Sequence, residues 1–170
     1  MAASTVGLYS LSYRDLRTYA ISAAFIAGNI LLPQLCHLIP NGGVTWLPIY
    51  FFTLIAAYKY GWRAGLLTAL LSPAVNCLLF GMPALAMLPV ISVKSVLLAS
   101  AAGYAAYRYH RVTLWTIAAV VVAYQAAGTL FEWAWTSDLA IALQDLHIGF
   151  PGILMQIIGG FIILRYILKK

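Results

Sequence analysis

A lysine and a glutamate stand inside apolar runs of this chain, Lys94 within ISVKSVLLAS and Glu132 within GTLFEWAW. The carboxamides Asn76, Gln125 and Gln156 occupy comparable runs, and His37, Trp46, Tyr124 and Trp133 lie in or beside them. A charge surrounded by hydrocarbon is costly, so such a residue faces a cavity, a partner or a ligand. The chemistry these types offer is recognition. Lys94 presents a point cation for a carboxylate or phosphate. Glu132 accepts from an amine or ring N–H, the amides add hydrogen bonds, and Tyr124 or Trp133 offers a stacking face. Buried polar groups select a solute because an analogue leaves them unpaired. The set suits a small, partly aromatic or heterocyclic solute with an anionic group and a donor. A plainer reading stands beside it: Lys94 and Glu132 form an ion pair tying two helices together, and Asn76, Gln125 and Gln156 are interhelical hydrogen-bond glue.

Bond-making chemistry is poorly represented. The chain has no Walker sequence, no His-Glu-x-x-His and no Gly-x-Ser-x-Gly, and it holds only four acidic residues. It reads as a non-enzyme without a cofactor. His37 adjoins Cys36, but the spacing to Cys77 fits no metal-ligand pattern, and no metal site is expected.

The elements that must position these residues follow from composition and charge. The 170 residues are 64% hydrophobic and 8% charged, too apolar for a water-facing surface. That length holds about six spans of ~17–25 residues and no separate catalytic or nucleotide-binding domain. Of ten Lys and Arg, nine fall in four places: Arg14 and Arg17; Lys59 and Arg63; Arg108 and Arg111; Arg165, Lys169 and Lys170. These places alternate with apolar segments, and the intervening connections carry no Lys or Arg. The positive-inside rule therefore predicts a single all-α domain of six transmembrane helices with both termini cytoplasmic. The expected spans are 18–38, 44–58, 64–80, 89–107, 112–135 and 150–168. The net charge of +6 is dispersed at helix ends facing one side, which suits anionic lipid headgroups and excludes nucleic acid as a partner. The first 17 residues hold two Arg and an Asp with no small-residue cleavage pattern, so no cleaved signal peptide is expected.

Orientation gives each polar residue a depth at about 1.5 Å per residue. Lys94, Glu132, Asn76, Gln156, Gln34 and His37 fall in the outer half, Gln125 and Asn29 nearer the middle. The longest connection, 136–149, lies outside and carries Asp138, Asp145 and His147. Gln125, Gly128 and Glu132 share one helix face, as do Gly65, Ala69, Ser72 and Asn76. The asymmetry argues for a site opening to the outer face.

Two further features carry a family resemblance. Span one holds Ala20, Ala24 and the overlapping pair Ala23, Ala27 in its inner half, and Tyr60-Gly-Trp-Arg-Ala-Gly65 runs into Ser72-Pro73 and Asn76. With six spans, inner termini and outer polar groups, the chain resembles the substrate-binding S components of energy-coupling factor (ECF) transporters of bacteria and archaea. The likeness runs from about Thr18 to Leu168. It implies a multi-pass protein of the cytoplasmic membrane that captures a vitamin-like micronutrient. It further implies that Ala20, Ala23, Ala24 and Ala27 dock on a transmembrane coupling subunit, and that two separate ATPase subunits supply the energy. Lys94, Gln125, Glu132 and Gln156 would then contact substrate, with the Asn41 to Trp46 connection as a lid.

Two rivals from other classes remain. A non-transport scaffold, resembling the small membrane subunit of bacterial rod-shape machinery, would make Lys94 and Glu132 structural. A self-sufficient carrier would move solute without partner subunits.

Overall fold

The structure, a computed structural model, describes residues 8–168. Lys169 and Lys170, two of the expected inner cations, lie outside the described residues. All described elements are helical: α1 Leu16–Cys36, α2 Gly42–Trp46, α3 Phe51–Tyr60, α4 Trp62–Phe80, α5 Leu88–Tyr109, α6 Leu114–Thr136, α7 Leu139–Ala142, α8 Gln144–His147 and α9 Phe150–Ile167. The last helix widens into π turns at Met155–Gly159 and Ile163–Ile167.

Local signals set the ends. The Asp15 carboxylate accepts from Arg17 N at 2.9 Å and starts α1, and the Thr113 hydroxyl accepts from Thr116 N at 3.1 Å and starts α6. Gly61 (φ +96°) and Gly81 (φ +67°) bound α4 in backbone conformations that side chains resist. At Gly65 a Cβ would lie 2.3 Å from that of Ala57, so α3 and α4 meet almost backbone to backbone. The expected face Gly65, Ala69, Ser72 and Asn76 is buried throughout.

The bundle has an apolar exterior and an interior in which polar side chains are interspersed with a hydrophobic core. Thr18, Ser22 and Asn29 form the buried face of α1, while Leu16, Leu31 and Leu35 are exposed. Five helices, α1, α4, α5 with its lead-in turn, α6 and α9, are long and apolar enough to cross a membrane. Their bounds match the expected spans one, three, four, five and six to within a few residues.

The expected second span differs. In place of one helix over 44–58 the chain makes α2, then Leu47 in a left-handed conformation (φ +45°), then a 3-10 turn over Pro48–Tyr50, and only then α3. Ten residues of helix reach about 15 Å, half of a bilayer core of ~30 Å. Pro48 has no N–H to continue a helix from α2. The start of α3 is supplied from elsewhere: Phe52 N donates to Asn29 Oδ1 at 3.2 Å, and Asn29 Nδ2 donates to Thr53 Oγ1 at 3.0 Å and Ser72 Oγ at 3.1 Å. Irregular backbone is tolerated at such depth only when protein covers it, and α3 is the most enclosed element, with Leu54, Ala56, Ala57 and Tyr58 at 0% exposure. It sits among α1, α4, α5 and α9.

Hydrogen bonds gather the four basic places at one end of the bundle. Arg63 Nη1 donates to Leu11 O at 3.3 Å, Tyr58 OH to Arg111 O at 2.8 Å and Lys59 Nζ to Leu168 O at 2.6 Å. Lys59, expected in an interfacial turn, is as enclosed as Lys94, at 1% and 2% exposure. It closes the last turn of α3 against the end of α9.

Candidate ligand-binding site

At the opposite end of the bundle lies a cavity of about 350 Å³, within the range of small-molecule sites. Its floor and walls come from the C-terminal end of α1 and its cap (Gln34, His37), α4 (Asn76), α5 (Lys94) and α6 (Glu132). The segment from α2 to the 3-10 turn, with Leu47 and Tyr50, covers one side, and α8 brings Gln144 and Asp145 to another.

Lys94 is the centre of charge. Its ammonium donates to Glu132 Oε2 in a short contact and to Asp145 Oδ2 at 2.8 Å. The three side chains expose 2%, 7% and 15% of their surface, so the triad is largely withdrawn from solvent. Gly128 makes the approach possible, because a Cβ there would lie 2.6 Å from Lys94 Cγ. The lysine stem thus lies in a groove across α6, on the Gln125, Gly128, Glu132 face.

Asn76 joins the cavity to the interior. Pro33 has no N–H for the carbonyl of Asn29, four residues earlier. Asn76 Nδ2 donates to that carbonyl at 2.9 Å and also to Ser72 O at 3.0 Å. Both partners only accept, which fixes the amide orientation. Asn76 is 1% exposed, lines the cavity, and its Oδ1 has no partner among the described residues. Gln34 Nε2, also on the cavity wall, is a donor in the same condition.

The Asn41 to Trp46 connection is held by close contacts. A Cβ at Gly152 would lie 2.4 Å from the carbonyl carbon of Trp46, and one at Gly43 would lie 2.5 Å from the His37 ring. The Asn41 to Trp46 connection therefore packs over the cavity mouth, wedged between α1 and α9.

Of the expected site residues, Lys94, Glu132, Asn76 and His37 line this cavity. Tyr124, Gln125 and Gln156 are buried but lie off it. Tyr124 OH donates to Gln156 Oε1 at 2.7 Å, and the Tyr124 ring packs at 5.6 Å against Tyr50, which does face the cavity. Gln125 stands seven residues before Glu132, about 10 Å deeper, and neither end of its amide has a partner among the described residues. Trp133 is 48% exposed and Trp46 36%. Neither lines the cavity; Trp133 follows Glu132 by one residue and so points off its helix face by about 100°. Trp133 thus does not face this cavity, and Tyr50 is the aromatic residue on its wall. Lys94 is also not a free anion receptor, since two carboxylates already hold it.

Asp145 is the main residue that sequence reasoning did not place in the site. One signal pointed to it. Asp15 and Asp138 start helices, with Asp138 Oδ1 accepting from Ala140 N at 2.8 Å and Ile141 N at 3.2 Å. Asp145 has no such use and is the acid left over for the buried cation. Tyr50 and Gln144 carried no comparable signal.

The alanines expected to dock a partner, Ala20, Ala23, Ala24 and Ala27, are all exposed along one side of α1. No known family model, curated protein or solved structure matches this chain.

Proposed function

We propose that this chain is the substrate-binding membrane subunit of an ECF-type importer, capturing a vitamin-like or other small micronutrient at the outer face of a bacterial or archaeal cytoplasmic membrane. The observation that carries the reading is the cavity walled by Lys94, Glu132, Asp145 and Asn76, at the bundle end away from the basic connections and covered by a short helix. A scaffold has no use for a covered chamber with unpartnered polar atoms on its wall. In this reading α2, the 3-10 turn and α3 together make the second of six crossings, and both termini are cytoplasmic. The exposed alanines on α1 support docking to a coupling subunit, because small side chains let two helix backbones approach closely. ATP hydrolysis belongs to partner subunits.

The test is reconstitution in liposomes with and without a coupling subunit and its two ATPases, using whatever small molecule co-purifies with the chain. Uptake that needs both ATP and the partners supports the proposal. Uptake by the chain alone would make it a self-sufficient carrier, and recovery with cell-wall synthesis proteins and no bound solute would make it a scaffold. Unchanged solute affinity in both Lys94→Ala and Glu132→Ala would remove those residues from the site.

A further inference from the structure

We infer that the cavity takes a small organic monocation bearing an N–H donor, an amine or a protonated nitrogen heterocycle, in place of an anion. This rests on reading the cavity as the ligand site.

Charge arithmetic is the first support. The titratable groups on the cavity wall are Lys94, Glu132, Asp145 and His37; with the imidazole neutral, the charged forms of the other three make two negative charges and one positive. Lys94 is shared by both carboxylates, which take two of its three N–H donors, so one negative charge lacks its own counter-ion. A net charge on side chains so largely withdrawn from solvent is costly. A ligand of charge +1 neutralises it, whereas an anion would raise the uncompensated charge to two.

Asn76 is independent of that count and points the same way. Its Nδ2 is committed to two backbone carbonyls, so the unpaired atom of this cavity-lining side chain is Oδ1, a buried acceptor. A buried acceptor without a partner calls for a donor, which an ammonium or ring N–H supplies and a carboxylate does not. Tyr50 adds an aromatic wall, and organic cations gain from such faces. Gln34 Nε2 asks for one acceptor on the ligand, such as a hydroxyl or ring nitrogen, at the α1 side.

Asp145 comes from the connection between α6 and α9 and is the more exposed of the two carboxylates. An incoming cation would therefore take over Asp145 from Lys94, leaving Lys94 paired with Glu132. Selectivity for charge would then reside in the outer segment, and the Lys94–Glu132 pair would serve as the fixed base of the site.

The experiment is thermal stabilisation of the full-length purified chain in detergent by three probes of one carbon skeleton: benzylamine, benzyl alcohol and benzoate. Benzylamine is expected to stabilise most, and benzoate not at all. Asp145→Asn, at a partly exposed position, is expected to weaken benzylamine by about tenfold, the scale of one charge-assisted contact. Lys94→Gln removes the competing cation and is expected to tighten benzylamine, the reverse of what an anion receptor would do. Benzoate stabilising as well as benzylamine, no stabilisation by benzylamine at millimolar concentration, or equal benzylamine affinity in Asp145→Asn would each overturn the inference. Binding by the purified chain needs no partner subunit. Cation preference without energised uptake would sink the transport reading alone, and energised uptake of an anion would sink the charge inference alone.

Discussion

Asn76 Nδ2 lies 2.9 Å from the backbone carbonyl of Asn29, the acceptor that Pro33 leaves without a helical donor. One side chain of α4 thereby completes the hydrogen bonding of α1, and the same Asn29 uses its own amide to start α3. Three helices are joined at one buried point directly beneath the cavity.

Asn76→Ala is expected to destabilise the chain by about 1–2 kcal/mol, because it strands a buried carbonyl. Pro33→Ala restores a helical N–H to that carbonyl and should recover part of the loss. A double-mutant cycle in detergent unfolding checks this; additive effects of the two changes would contradict the link.

Asn29→Ala removes three hydrogen bonds at once, including the one to Phe52 N. The expected cost is about 2–3 kcal/mol, more than for Asn76→Ala, since the first turn of α3 loses its buried acceptor. Amide exchange at Phe52 should rise along with the drop in midpoint.

Gly128→Ala places a methyl group within 2.6 Å of Lys94 Cγ. The stem has no free end there to swing aside, so the lysine must leave its groove. Destabilisation of about 1–3 kcal/mol is expected from overpacking, together with a changed benzylamine affinity, since the ammonium that competes for Asp145 is displaced. A neutral result in both measurements would show that the stem lies elsewhere.

Gly152→Ala pushes on the Trp46 carbonyl and is expected to loosen the lid without unfolding the bundle. Hydrogen exchange across 42–50 should accelerate by about tenfold or more while the amides of α4 to α6 keep their protection, as local opening predicts.

Ala24→Leu, on the exposed side of α1, should change the stability of the isolated chain by less than about 0.5 kcal/mol. If α1 docks a coupling subunit, the same change, combined with Ala20→Leu, abolishes co-purification with that subunit. Retained capture would move the docking surface off α1.

Five long helices were legible in the sequence because each is a local property: an apolar run of membrane length with cations at one end. The depth of Lys94 and Glu132 followed from the same reckoning, since a helix converts residue count into distance. The interruption of the second span was not legible. Pro48 is only its local part; the restart of the helix depends on Asn29, 23 residues before the Phe52 amide it accepts from, and no local window over 44–58 contains that residue. The reach of Asp145 into the cavity, 51 residues from Lys94, and the outward turn of Trp133 and Trp46 were likewise settled by how the helices pack. The sequence by itself determined which segments belong in a membrane and which charge had to be neutralised there. Tertiary structure alone decided which groups neutralise it, because a buried charge or orphan amide takes whatever partner the fold brings within 3 Å or so, irrespective of separation along the chain.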